Sequence, residues 1–381
     1  MIQTLTLENY RGFRHFELHD LGRVNLIVGT NNAGKTSILE AISILQSPSD
    51  FGAIWSTLSR RGEDVEDIEL NRVVRQVDIS RLFNGYELIG ESKIRICAKT
   101  DAGSNEFRAL IARSESESIY TTTPPPSGAY YGSLDPEVMV QPSALDLSWK
   151  FPGDGAEVNT TVELTRRGAL SWDMMMRGSR SFTGPVVPVR FITAASLMPD
   201  AVVELFGQVV LTPDEDFLIE ALRVIEPSIE RIATSGTERR VGLSNRVGDR
   251  GGILVRCAGV RDRIPIGSMG DGIWRILGLA LSLARTAGGI LLIDEIDTGL
   301  HYSVMERMWK LIYETAKKHN IQIFATTHSR DCVDSLAAVC RDDISENSEV
   351  TIQRLERAAT RSVAYTEQEI VAVADRGVEV R

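Results

Sequence analysis

Long apolar runs, paired cysteines and net positive charge are all missing from this 381-residue chain. No stretch approaches the ~18 apolar residues that a membrane span needs, and Met1-Ile2-Gln3-Thr4-Leu5 lacks a signal-peptide pattern. A soluble, cytoplasmic protein with no membrane partner is therefore expected. The four cysteines, Cys97, Cys257, Cys332 and Cys340, form no CxxC pair and have no clustered histidines, which argues against structural zinc and for a reducing compartment. Net charge is −10 with a pI near 5.2, so no global basic field draws in nucleic acid. No heptad run is long enough for a coiled coil, and no internal repeat is visible.

What is present is ordinary globular composition, 43% hydrophobic and 25% charged, in a length that suits one large α/β domain with an insertion or two to three smaller units. Residues 1–28 read as short strands, ending in the buried run Val24 to Val28. Residues 50–78 read as helical, with Glu63, Asp64, Glu66, Asp67 and Glu69 on a solvated face. From Leu88 to about Leu170 the pattern is strand and loop, with strands over Lys93–Ala98 and Glu157–Leu164 and a loop at Thr121–Gly128 around Pro124-Pro125-Pro126. A strand at Val186–Ile192 precedes helices over Ala194–Gln208 and 212–234, then short strands and turns across Val241–Arg263. Helix Gly270–Thr286, strand Ile290–Ile293, helix 302–319 and strand Ile321–Ala325 follow. Such alternation predicts a mostly parallel sheet with crossover helices.

Gly29-Thr30-Asn31-Asn32-Ala33-Gly34-Lys35-Thr36 lies between the Val24–Val28 strand and the apolar-periodic segment Ser37–Leu45. Strand, then GxxxxGK[ST], then helix is the context of a phosphate loop. The main-chain N–H groups of Asn31, Asn32, Ala33, Gly34 and Lys35 and the helix start through Thr36 and Ser37 would surround the phosphates. Lys35 would reach the β/γ-phosphates and Thr36 would ligate Mg²⁺.

The same chemistry calls for a carboxylate at a buried strand end. Ile290-Leu291-Leu292-Ile293-Asp294-Glu295 supplies Asp294 for the metal shell and Glu295 to take a proton from the attacking water. The next strand ends in Thr326-Thr327-His328-Ser329, which puts His328 on the ligand-binding edge of a parallel sheet as a γ-phosphate sensor. Ser268-Met269-Gly270-Asp271-Gly272 opens the helix that follows it. From those residues alone it is either an anion site or a plain N-cap with eased turns.

Together these residues resemble the ABC-type ATPase heads of the SMC and RecF kind, and within them the compact bacterial AAA family ATPases related to the ATPase part of OLD nucleases. Leu5-Thr6-Leu7-Glu8-Asn9-Tyr10-Arg11-Gly12-Phe13 is similar to their N-terminal strand, Asn25 to Thr36 to their Walker A, Leu292 to His301 to their Walker B and D-loop, and Ala325 to Ser329 to their switch-histidine loop. The resemblance covers both ends of the chain and leaves the middle unmatched. It implies an α/β P-loop NTPase with a mostly parallel central sheet, an N-terminal antiparallel β subdomain and a β/loop-rich insertion. One ATPase domain, 1–381, would divide into an N-terminal lobe (1–87), the insertion (88–185), a C-terminal lobe (186–345) and terminal strands and helix (346–381).

It further implies ATP and Mg²⁺, and two heads sandwiching two ATP molecules, with Ser268 and Gly270 of one copy capping the γ-phosphate held by Lys35 of the other. Arg11 is expected beside the adenine or ribose. Because the histidine loop lies close to the end of this sequence, no OLD-type nuclease domain is expected. The expected role is ATP hydrolysis coupled to head dimerisation in DNA repair or anti-phage defence, acting with a separately encoded effector. Arg239, Arg240, Arg246, Arg250, Arg256, Arg261 and Arg263 are candidate DNA-phosphate contacts. The alternative is an ATP-gated scaffold that binds a protein through the insertion, without nucleic acid.

Overall fold

Val24–Gly29 is buried at every residue, because it runs between two parallel neighbours with cover on both faces. The computed structural model in which it lies describes residues 1–48, 50–69, 72–86, 88, 92–113, 142–152, 157–165, 168–173, 175, 187–234, 252–342 and 349–378. The central sheet runs Val189–Ile192, Ile290–Ile293, Gln322–Thr326, Val24–Gly29, Val350–Leu355, Val363–Tyr365, parallel throughout except for the last strand.

Period-two alternation sends its side chains into two cores. Leu26, Leu291, Ile293 and Ile323 pack with the helices Asp271–Ala284, Tyr302–Lys318 and Arg330–Asp342. Ile27, Leu292 and Phe324 pack on the other face with the helices Lys35–Leu45 and Phe51–Ser59. Beyond those helices lies a six-stranded antiparallel sheet in the order Phe13–Leu18, Ile2–Tyr10, Lys93–Thr100, Gly103–Arg113, Pro142–Lys150, Glu157–Glu163. Trp149 fixes this sheet to the P-loop helix by donating its indole N–H to the Ile44 carbonyl at 3.0 Å. The strands of 93–163 thus extend the sheet begun by Ile2–Tyr10.

Two helical expectations are corrected. Residues 50–78 form only the helix Phe51–Ser59, followed by a hairpin of Asp64–Glu69 with Arg72–Asp78. Gly62, at φ 68, ends the helical path, and Val65, Ile68, Val73, Val74 and Val77 favour strands over another helix. Residues 212–234 divide into the helix Asp214–Arg223 and the strand Ile229–Thr234, since Pro227 cannot continue a helix. The strands Ile253–Cys257 and Ile264–Pro265 join that second strand in a small sheet. The Thr121–Gly128 loop and residues 241–251 lie outside the described residues. No described helix is long and apolar enough to cross a membrane.

Candidate nucleotide site

The loop after Val24–Gly29 turns through Asn32 (φ 63) and Gly34 (φ 93), both left-handed, into the helix Lys35–Leu45. Its start carries no side-chain cap and no acid in the first turn, so the helix itself places no side chain on its N-terminal dipole. A Cβ on Gly34 would clash with the Phe13 ring, so only glycine lets the loop pack under the turn between Ile2–Tyr10 and Phe13–Leu18. Lys35 donates to the carbonyls of Gly29 (2.8 Å) and Thr30 (3.1 Å). Burial lowers its ammonium below the ordinary lysine range, while Asp294 and Glu295 pull the other way.

Across the sheet edge, Thr36 donates its hydroxyl to the Asp294 carboxylate at 3.0 Å. Thr326 also donates to Asp294, at 2.6 Å, and accepts the Glu295 N–H at 2.8 Å. Thr327 repeats the device, donating to Asp297 at 2.6 Å and accepting the Ser329 N–H at 2.9 Å. These hydroxyls tie the His328 loop to the strand end that bears Asp294 and Glu295; the His328 side chain is exposed. Glu295 itself sits at φ 46, a strained position for a residue with a side chain. The hydroxyl–carboxylate pair of Thr36 and Asp294 is a hard-oxygen donor set that fits Mg²⁺, which takes few protein ligands beside substrate phosphates. Among the described residues no group of three or more His, Cys, Asp or Glu is arranged to hold a metal.

Residues 1–124 match the AAA ATPase domain family, and residues 217–331 the family described as "AAA domain, putative AbiEii toxin, Type IV TA system". Over 361 residues the chain is 20% identical to an ATP/GTP phosphatase of Helicobacter pylori, covering 90% of this chain and 89% of that protein. The DNA replication and repair protein RecF of Bacillus mycoides is 34% identical over 118 residues, 26% of this chain but only 32% of its own length. The SMC head domain from Thermotoga maritima aligns over 96% of this chain and 98% of that chain, with a TM-score of 0.45 and 13% identity. This chain is a P-loop ATPase, similar to RecF proteins over part of its length.

In this ATPase Ser268 and Gly270 stand exposed at the start of the helix Asp271–Ala284. That helix is joined to the strand end at Asp294 and Glu295 by Arg275, which the sequence reading missed. Arg275 is 2% exposed and donates to main-chain carbonyls of Thr193, Asp294 (2.7 Å) and Glu295 (2.9 Å). Burial pushes its guanidinium down to about 10, against the pull of Asp294, Asp297 and Glu295, so it stays charged near neutral pH. An arginine within an otherwise apolar helix was the available signal.

Arg11 lines a cleft of about 870 Å³ beside the phosphate loop, together with Asn32, Gly34, Ser37 and Arg61. Its guanidinium faces inward, to Glu40 at 2.9 Å and Glu63 at 3.0 Å, and is only 4% exposed. Of the candidate DNA contacts, Arg239, Arg240, Arg246 and Arg250 lie outside the described residues. Arg261 and Arg263 are exposed, and Arg256 pairs with Glu230 at 3.3 Å.

Proposed function

We propose that this ATPase works as one half of a composite site, hydrolysing ATP when a second copy closes over it. The observation that carries this reading is a division of parts. Lys35, Thr36, Asp294 and Glu295 meet at one sheet edge, while the exposed Ser268–Gly270 helix start offers a separate set of phosphate-ready groups. In the proposed cycle Lys35 and the loop N–H groups hold the phosphates. Thr36 and Asp294 would hold Mg²⁺, which supplies charge neutralisation on the β- and γ-phosphates. Glu295 accepts a proton as the water oxygen bonds to the γ-phosphorus and the bond to the β-phosphate oxygen breaks. His328 steadies the γ-phosphate, and Ser268 and Gly270 of the second copy complete the shell.

The setting is DNA repair or anti-phage defence with a separately encoded effector, a reading supported by the likeness to RecF proteins and by exposed Arg261 and Arg263. Glu295→Gln should bind ATP as the wild type does and turn over at least ~100-fold more slowly, as expected when a water-activating group is lost. Wild-type specific activity should rise with protein concentration. Wild-type turnover by Glu295→Gln, or activity independent of concentration, contradicts the reading.

A further inference from the structure

Between the strands Val350–Leu355 and Val363–Tyr365 lies a turn that touches the phosphate loop and has no part in the proposed cycle. It is anchored on two sides. Leu355 pairs with Gly29 across the sheet, so closely that a Cβ on Gly29 would stand 2.7 Å from the Leu355 carbonyl oxygen. On the far side the Glu17 N–H donates to the Thr360 carbonyl at 2.9 Å, and the Ser362 N–H donates to the Glu17 carbonyl at 2.9 Å. Ala358, left-handed at φ 64, reverses the chain between these anchors. Arg357, exposed on this turn, donates from its guanidinium to the Asn31 carbonyl of the phosphate loop at 3.0 Å.

Asn31 and Asn32 are the central pair of a β-turn. The Ala33 N–H donates to the Thr30 carbonyl at 3.2 Å, and Asn32 is left-handed at φ 63 while Asn31 is not. That is the type II pattern, which differs from type I chiefly in the way the peptide between the two central residues faces. The C=O of Asn31 and the N–H of Asn32 belong to this one trans peptide and point in opposite directions. The bond from Arg357 to the Asn31 oxygen therefore fixes the Asn32 N–H on the opposite side. Three successive carbonyls of the loop are tied to cations in this way, Gly29 and Thr30 to Lys35 and Asn31 to Arg357. We propose that Arg357 is a positioning residue, which holds the Asn31–Asn32 peptide so that the Asn32 N–H is presented to the phosphates, without itself touching them. The inference rests on the nucleotide being held by the P-loop. A donor fixed in advance loses no freedom on meeting an anion, and a turn free to flip this peptide would lose some.

Two readouts on the full chain test it, calorimetry with ADP and amide hydrogen exchange over residues 29–36 of the nucleotide-free protein. Arg357→Met keeps the stem of the side chain and loses its donors, and Arg357→Lys restores a charged donor. Arg357→Met should bind ADP about tenfold more weakly, and most of that loss should persist at high salt, because the missing bond is to a carbonyl. Exchange over residues 29–36 should speed up in Arg357→Met, with part of both changes recovered in Arg357→Lys. Wild-type ADP affinity in Arg357→Met overturns the inference. So does a loss that vanishes at high salt, the mark of a direct charge contact with phosphate, or a loss with unchanged exchange. If wild-type protein and Lys35→Ala bind ADP equally, the P-loop assignment itself fails, and that outcome is separate from any behaviour of Arg357.

Discussion

At the residue scale the proposed water-activating residue, Glu295, is held in a left-handed conformation that a side chain resists. Three contacts hold it there. Its N–H donates to Thr326 at 2.8 Å, its carbonyl accepts from Arg275 at 2.9 Å, and its carboxylate accepts from Thr298 at 3.2 Å. Arg275 touches no phosphate-loop residue through these bonds, so its effect on chemistry runs through Glu295 and Asp294. Arg275→Lys keeps the charge and loses the fork that spans several carbonyls. We expect kcat to fall about tenfold while the affinity for a non-hydrolysable ATP analogue stays within twofold, a loss typical of a misaimed catalytic group. A matching loss in affinity would show that Arg275 supports the binding loop instead. Asp294 and Glu295 were legible in sequence because a buried strand ending in two acids is a local pattern. Arg275 was not, because its partners Thr193, Asp294 and Glu295 are main-chain carbonyls brought near only by folding.

Among the elements, the helix Asp271–Ala284 joins the exposed Ser268–Gly270 end to the strand end at Asp294 and Glu295. Gly272 sits so close to the D-loop that a Cβ there would stand 3.0 Å from the Gly299 carbonyl and 3.3 Å from Ile225. Gly272→Ala should therefore push the helix start off the D-loop, costing about 1–3 kcal/mol as an overpacked contact. It should lower ATPase activity more than nucleotide affinity, and a thermal melt run with a kinetic assay checks both. Wild-type stability and activity would mean that the contact is slack. The strands and helices carrying the motifs could be read from the sequence because their apolar runs are long and bounded by glycine or charge. The two misread stretches each hide a change of period. The acids of 63–69 look like a solvated helix face, yet the helix ends before them and Asp64–Glu69 forms a hairpin strand. The 212–234 segment changes from helix to strand across Pro227. Strand partners also come from far along the chain, as when Lys93–Thr100 pairs with Ile2–Tyr10, and no local pattern announces that register.

For the whole molecule, the parallel sheet separates two cores and gathers both ends of the chain at one edge. Val24–Gly29 lies between Gln322–Thr326 and Val350–Leu355, so the P-loop comes from the first tenth of the chain and its neighbours from the last fifth. The antiparallel sheet is fixed to the back of the P-loop helix by Trp149, and the helix Asp271–Ala284 to the strand end by Arg275. A change at the exposed Ser268–Gly270 end therefore has a covalent and hydrogen-bonded route to Glu295. Contact with a partner's nucleotide at that end is what the proposed dimer would use. Sedimentation velocity of Glu295→Gln, with and without ATP and Mg²⁺, tests this most directly. The account predicts a monomer without nucleotide and a species of twice the mass with it, lost again in Lys35→Ala. A Glu295→Gln protein that binds ATP and stays monomeric at every concentration would contradict it.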